Sequence, residues 1–144
     1  MNDSGVFGFI GLVSGVATAV GVFFAAIQLR LSQQNETTRF EDELAREFRE
    51  IVQRIPTRAM LGEPLDEAEY AKAFDELYRY LSLSNEQVFL WRSRRIRRRT
   101  WEHWRAGIQS HLQRPAFHRA WAEIKATLPA DQFEGLRALE ADEV

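Results

Sequence analysis

The sequence predicts an all-α chain with one N-terminal transmembrane helix followed by a four- to five-helix cytoplasmic domain. Three observations support this fold class. Residues 5–29 carry no charged side chain. Apolar residues in the rest of the chain recur at three- and four-residue intervals, and no segment alternates polar and apolar residues for long enough to form a strand. The chain has 144 residues and no cysteine, which excludes a disulfide framework, a thiol nucleophile and a thiolate metal site.

The uncharged segment of residues 5–29 is long enough to cross a membrane as a helix. It spans ~37 Å at ~1.5 Å per residue, and the hydrocarbon core of a bilayer is ~30 Å thick. A cleavable signal peptide is the alternative, but residues 1–4 lack the positive charge with which such peptides begin. Arg30 and Arg39 follow the segment and no basic residue precedes it. The positive-inside rule therefore predicts that residues 1–4 lie outside and residues 30–144 in the cytoplasm.

Small residues are spaced along this segment at intervals that favour helix association. Gly11 and Gly15 are four residues apart, as are Ser14 and Thr18, and Gly21 belongs to a neighbouring row of small side chains. Such spacing lets helix backbones approach closely in lipid. We therefore expect the chain to form a homo-oligomer in the lipid bilayer, and a ring of these helices would place the same five residues at a pore.

The first helices of the predicted cytoplasmic domain have recognisable ends. Apolar residues between 40 and 55 form one stripe of a helix that Pro56 ends, because proline cannot donate the backbone hydrogen bond. The next helix begins near Asp66, whose carboxylate can accept hydrogen bonds from free N–H groups of the first turn. Ser84, with Gln87 three positions later, indicates a fresh helix start through a capping box.

Three further helices complete the predicted domain. Thr100 is expected to open a helix with Trp101, Trp104 and Ile108 on one side. Pro115 lies where the first position of a helix tolerates proline. Residues 133–139 suggest a short closing helix.

Charge is strongly segregated along the chain. Residues 36–80 hold 12 acidic and 7 basic side chains, whereas residues 92–119 hold 9 arginines and a single acidic residue, Glu102. The basic block contains a run of six arginines in eight residues: Arg92, Arg94, Arg95, Arg97, Arg98 and Arg99. The two blocks are expected to attract each other.

The arginine run permits three interpretations. It can pair with the acidic helices of the same or a neighbouring subunit. It can bind the head groups of anionic lipid at a cytoplasmic leaflet. With Trp91 and Trp101 on either side, it can also bind RNA, because arginine neutralises phosphate and aromatic rings stack on bases.

The arrangement of helices and aromatic residues resembles two groups of proteins. The first is the small single-pass bacterial membrane proteins of unknown function that have an all-helical cytoplasmic domain. The resemblance is carried by the segments IQLR (27–30), AFDELYRY (73–80), QVFL (87–90), TWEHWR (100–105) and RPAFHRAW (114–121). More distantly, one N-terminal span with a helical domain resembles the HEPN-like membrane accessory proteins of RNA-targeting CRISPR systems.

The second resemblance implies candidate catalytic residues. Helical ribonucleases of the HEPN class use an arginine and a histidine a few positions apart, the arginine to stabilise phosphorane charge and the histidine to move a proton. Arg105 precedes His111 at such a spacing, and Arg98 precedes His103 as the alternative pair. Arginine is so abundant that such spacings also arise by chance.

Other catalytic and binding signals are absent from the sequence. There is no glycine-rich phosphate loop and no nucleophile elbow, and no two histidines have the spacing of a helical metal site. We therefore expect no cofactor and no metal.

Three functional hypotheses follow. The first is an oligomeric inner-membrane protein that acts by self-assembly, as a pore or membrane-perturbing effector in antiviral defence or stress, and not by turnover. The second is a membrane-tethered HEPN-like ribonuclease. The third is an adaptor that brings RNA or an unknown protein partner to the membrane through the arginine run.

Overall fold

The computed structural model describes the backbone of residues 3–144 and the side chains of residues 22–33 and 36–144. Within residues 3–144 there are six helices and no strand. The helices are α1 (Asp3–Val52), α2 (Thr57–Met60), α3 (Glu67–Arg92), α4 (Arg98–Leu112), α5 (Pro115–Thr127) and α6 (Glu134–Glu140). The all-α prediction is therefore confirmed.

The prediction of a transmembrane helix at residues 5–29 is contradicted. In the described part of the chain, no helix is long and apolar enough to cross a membrane. Helix α1 does not stop after the apolar segment but continues through Arg30 and the acidic residues beyond it to Val52. The predicted inner-membrane location depended on that helix and stays a prediction.

The chain divides into two compact units, Met1–Arg39 and Phe40–Val144. In the first unit every described side chain from residue 22 to residue 33 is exposed. These include large apolar side chains with 38% to 66% of their surface exposed: Val22, Phe23, Phe24, Ile27, Leu29 and Leu31. The five residues predicted to form an oligomer or pore face (Gly11, Ser14, Gly15, Thr18 and Gly21) have side chains outside the described residues.

The second unit, Phe40–Val144, is called the helical unit below. It holds the end of α1, the single turn α2 and the four longer helices α3 to α6. Helix α3 lies at its centre and packs against α4, α5 and α6. The largest fully buried side chains come from four of these helices: Ile51, Leu77, Tyr80, Leu81, Val88, Phe117, Trp121, Leu136 and Leu139.

Two of the predicted helix starts are confirmed. Asp66 precedes α3 and its Oδ1 accepts a hydrogen bond from the backbone N–H of Glu69, at 2.8 Å. The carboxylate of Glu69 accepts in return from the backbone N–H of Asp66, at 3.1 Å, so the two residues form a capping box. Pro115 occupies the first turn of α5, as predicted.

Two other predicted starts were wrong. Ser84 does not begin a new helix, because α3 runs unbroken from Glu67 to Arg92. Its hydroxyl donates to the Tyr80 carbonyl one turn earlier, at 2.9 Å, a bond that a serine inside a helix can make as readily as a cap bond. Helix α4 begins at Arg98 and not at Thr100. The backbone N–H of Arg97, just before α4, donates to Glu41 Oε1 at 2.8 Å.

Candidate functional site

His111 is the predicted site residue that the fold buries. It lies in the last turn of α4 and is 9% exposed. Its Nδ1 is 2.7 Å from the carbonyl oxygen of Gly107, one turn earlier on α4, and 2.9 Å from the hydroxyl of Tyr80 on α3. Burial, and secondarily the positive charge of Arg114, lowers the pKa of His111 below its usual value. The imidazole is therefore neutral near pH 7.

A cavity of about 330 Å³ opens beside this ring, and we call it the His111 cavity. Its walls come from α1, α3 and α4. The apolar part of the lining consists of Ala45, Phe48, Trp104, Gly107 and Ile108. The polar part consists of Arg49, Tyr80, Gln87, His103 and His111. A mainly apolar concavity with a few convergent polar groups is the usual form of a small-molecule site.

Gln87 is the most informative of these polar residues. It lies on α3, is 4% exposed and lines the cavity. Its amide makes no hydrogen bond to any residue that the structure describes. A primary amide has two donors and one acceptor, and buried polar groups normally have partners. The amide of Gln87 is therefore available to form hydrogen bonds with a molecule in the cavity.

Two members of the lining, Arg49 and His103, are exposed, and they mark the mouth of the cavity. Arg49 makes no ion pair with a carboxylate of residues 36–144, the part of this unit whose side chains are described. No carboxylate lines the cavity. The mouth therefore carries an unneutralised positive charge.

The two predicted arginine–histidine pairs are not brought together as pairs in this cavity. Arg105 does not belong to the lining, and its Nη2 pairs with Asp142 near the C-terminal end. Arg98 pairs with Glu102 on its own helix, at 2.8 Å. His111 and His103 both line the cavity, but without these arginines. The ribonuclease hypothesis stays a prediction.

Several arginines of the run contact residues of the same chain. Arg92 pairs with Glu134 at 3.3 Å, and Arg97 approaches Glu41 at 3.9 Å. The guanidinium of Arg95 lies 5.2 Å from the ring centre of Phe40. Arg94 and Arg99 are exposed. The rings of Trp91 and Trp101 stack on each other, with their centres 5.7 Å apart. Trp101 is buried, so one face of the Trp91 ring is covered by a buried residue. The proposed lipid and RNA partners of the run stay predictions.

Local sequence patterns do not identify Gln87, Tyr80 and Arg49 as residues that line a cavity. Gln87 was interpreted as part of a capping box, and Tyr80 was given no role beyond its place in the segment AFDELYRY (73–80). One signal was available: Tyr80, Ser84 and Gln87 follow one another at four and three positions, which places polar groups in the apolar stripe of a buried helix. Arg49 had no signal of its own, because its neighbours along the chain are charged as well. No group of side chains suited to hold a metal ion occurs among the described residues.

Comparison of the chain with known protein families, with curated proteins and with solved structures finds no match.

Proposed function

We propose that the helical unit binds a small organic molecule in the His111 cavity and acts through that binding. The observation that carries the proposal is Gln87, a 4% exposed amide that lines the cavity without a partner among the described residues. The amide atoms of Gln87 are not among the fully buried atoms that lack a hydrogen-bond partner, so they are accessible from the cavity. A ligand that bonds to the amide takes the place of water there.

The surroundings of Gln87 suit a ligand and not only a bound water. The cavity of about 330 Å³ falls at the lower end of the range of small-molecule sites. Phe48, Trp104 and Ile108 offer apolar surface that water does not use. The ligand is therefore expected to have an apolar body and one polar group that reaches the amide.

The ring of His111 adds a second polar contact. A carbonyl oxygen only accepts hydrogen bonds, so we assign the proton of the neutral ring to Nδ1, which donates to Gly107. Nε2 then has a free lone pair and no partner among the described residues. A donor on the ligand can use it.

Gly107 offers a direct test of the proposal. It lines the cavity in the middle of α4, and a Cβ built on it meets nothing within 4 Å. Gly107→Leu should fill the cavity without a clash, whereas Gly107→Ala should leave most of it open. Binding of the fluorescent aromatic probe N-phenyl-1-naphthylamine to the full chain is the measurement.

We expect at least a tenfold loss of probe affinity in Gly107→Leu and less than a twofold change in Gly107→Ala. Probe that binds to the exposed segment of residues 22–31 contributes equally to both variants and cancels in the comparison. Equal binding by the two variants, with both folded by circular dichroism, would rule out the His111 cavity as the site.

Self-association is a second candidate function, favoured by a different observation. Six large apolar side chains of residues 22–31 are exposed, and exposed apolar patches commonly mark interaction surfaces. We propose that a second copy of the chain covers this segment. The double substitution Phe23→Ser and Phe24→Ser should lower the mass measured by light scattering. Phe89→Ser, which changes an equally exposed phenylalanine of the helical unit (59% exposed), should not. The same mass for all three proteins would contradict the proposal.

A further inference from the structure

The charge at the mouth of the His111 cavity identifies the class of ligand. We propose that the ligand is an anionic amphiphile, a small molecule with an aromatic or aliphatic body and one carboxylate, sulfonate or phosphate group that Arg49 binds. This inference rests on the proposed function of the cavity and deepens it.

Arg49 differs from the other arginines of residues 40–80, all of which pair with a carboxylate, whereas several arginines later in the helical unit also make no ion pair with a described residue. Arg54, Arg58 and Arg79 each lie within 3.6 Å of a carboxylate oxygen. Acidic residues outnumber basic ones by 12 to 7 over residues 36–80, so partners are plentiful. Arg49 nevertheless makes no ion pair with a residue of the described part of the chain.

Arg49, which carries the guanidinium, belongs to the lining of the His111 cavity. Arg49 lies one residue after Phe48 on α1, and both line the same cavity. His103, the other exposed member of the lining, belongs to α4. A guanidinium offers five N–H donors in a planar arrangement that matches the oxygens of carboxylate, sulfonate and phosphate. An anion at this position meets a cation and no competing carboxylate of the lining.

The lining of the cavity combines polar groups that differ in burial with apolar walls. Gln87 is buried and Arg49 is exposed, while Phe48, Trp104 and Ile108 line the space with apolar surface. A wholly polar anion would leave these walls unused, and a neutral hydrocarbon would leave both polar ends unused. An amphiphile with its charge at the mouth uses all of them.

Two dyes with one scaffold test the inference on the full-length protein. 1-Anilinonaphthalene-8-sulfonate carries a negative charge, and N-phenyl-1-naphthylamine is the same aromatic skeleton without the sulfonate. Arg49→Gln should weaken binding of the sulfonate roughly three- to tenfold and change binding of the neutral dye less than twofold. Arg46→Gln is the matched control, because it removes the same charge from the same helix at a residue outside the lining.

Each outcome decides the question. Loss confined to the sulfonate and to Arg49→Gln supports the anionic ligand. Equal loss of both dyes, or the same loss in Arg46→Gln, overturns it and leaves the cavity a site for neutral ligands. If Gly107→Leu also leaves both dyes bound as in Gly107→Ala, the cavity binds neither dye, and the proposed function fails together with this inference.

Discussion

The hydroxyl of Tyr80 lies 2.9 Å from Nδ1 of His111, although the two residues are on different helices and 31 positions apart. The same Nδ1 is 2.7 Å from the carbonyl oxygen of Gly107. With the proton on Nδ1, the histidine donates to two acceptors at once. This contact joins α3 to α4 at the back of the cavity and holds the imidazole in one orientation. Burial raises the pKa of Tyr80, so its hydroxyl stays protonated and can in turn donate to a ligand.

Stability should fall in mildly acidic solution because of His111. Its pKa in the folded state is lowered by burial and by Arg114, so the unfolded chain binds the proton more readily than the folded chain. The free energy of unfolding is therefore highest above the unfolded-state pKa, ~6.5. It decreases as the pH falls from there through the folded-state pKa, by at most ~1.4 kcal/mol per pH unit.

Urea denaturation at a series of pH values between 5 and 8 would measure this effect. His111→Gln should flatten the curve between pH 5 and 7, whereas His118→Gln, which changes an exposed histidine, should leave its slope unchanged. A slope that persists in His111→Gln would assign the acid sensitivity to another group.

Glu41 should contribute to stability by holding the start of α4. It is 8% exposed, and its Oε1 accepts from the backbone N–H of Arg97, just before the first residue of α4, at 2.8 Å. Its negative charge also lies at the positive end of the helix dipole. Glu41→Ala should destabilise the protein by about 1–2 kcal/mol in urea denaturation. Glu41→Gln keeps an acceptor oxygen and should destabilise the protein by less than Glu41→Ala does.

Glu43 provides the comparison for Glu41. It is 69% exposed and forms an ion pair with Arg46 at 3.7 Å, and exposed pairs of this kind contribute about 0–1 kcal/mol. Glu43→Ala should therefore change stability by less than Glu41→Ala. The reverse order would mean that the Glu41–Arg97 bond does not stabilise α4.

Gly135 should be essential for the packing of α6 on α3. A Cβ there would lie 3.0 Å from Cβ of Val88 and 3.1 Å from Oδ1 of Asn85. That Asn85 oxygen accepts from the backbone N–H of Leu136, at 3.0 Å. Gly135→Ala should therefore destabilise the protein by about 1–3 kcal/mol, because Val88 and Asn85 must shift to make room for the added methyl group.

Gly107→Ala should instead stabilise the protein. A Cβ at Gly107 meets nothing within 4 Å, and alanine is preferred over glycine inside a helix by about 0.5–1 kcal/mol. Thermal unfolding of Gly135→Ala and Gly107→Ala would compare them directly. If both glycines respond alike, intrinsic helix preference and not packing determines the effect.

Local patterns predicted much of the helical unit. Asp66 and Pro115 marked the starts of α3 and α5, because such signals act within one or two turns. Ser84 shows the limit of such signals. The same residue can cap a helix or bond back inside one, and the packing of α3 against the other helices decides between the two.

The candidate site and the hydrogen bond between Arg97 and Glu41 both depend on contacts that no local pattern contains. Glu41 and Arg97 are 56 residues apart, and a carboxylate among many acidic residues gives no indication of its partner. Gln87 becomes part of a cavity only where α1 and α4 pack around it. The segment of residues 5–29 was interpreted from its length, its lack of charge and the basic residues that follow it, and these features do not determine whether the helix ends near Arg30 or continues to Val52.

The central position of α3 also determines how the helical unit should open. Helices α4, α5 and α6 each pack on α3, and α4 also packs on α5, so the unfolding of α3 removes a neighbour from all three helices at once. Backbone amides around Leu77 and Leu81 should therefore exchange with deuterium only when the whole unit unfolds. The amides of α6, with seven residues, should exchange through local opening as well.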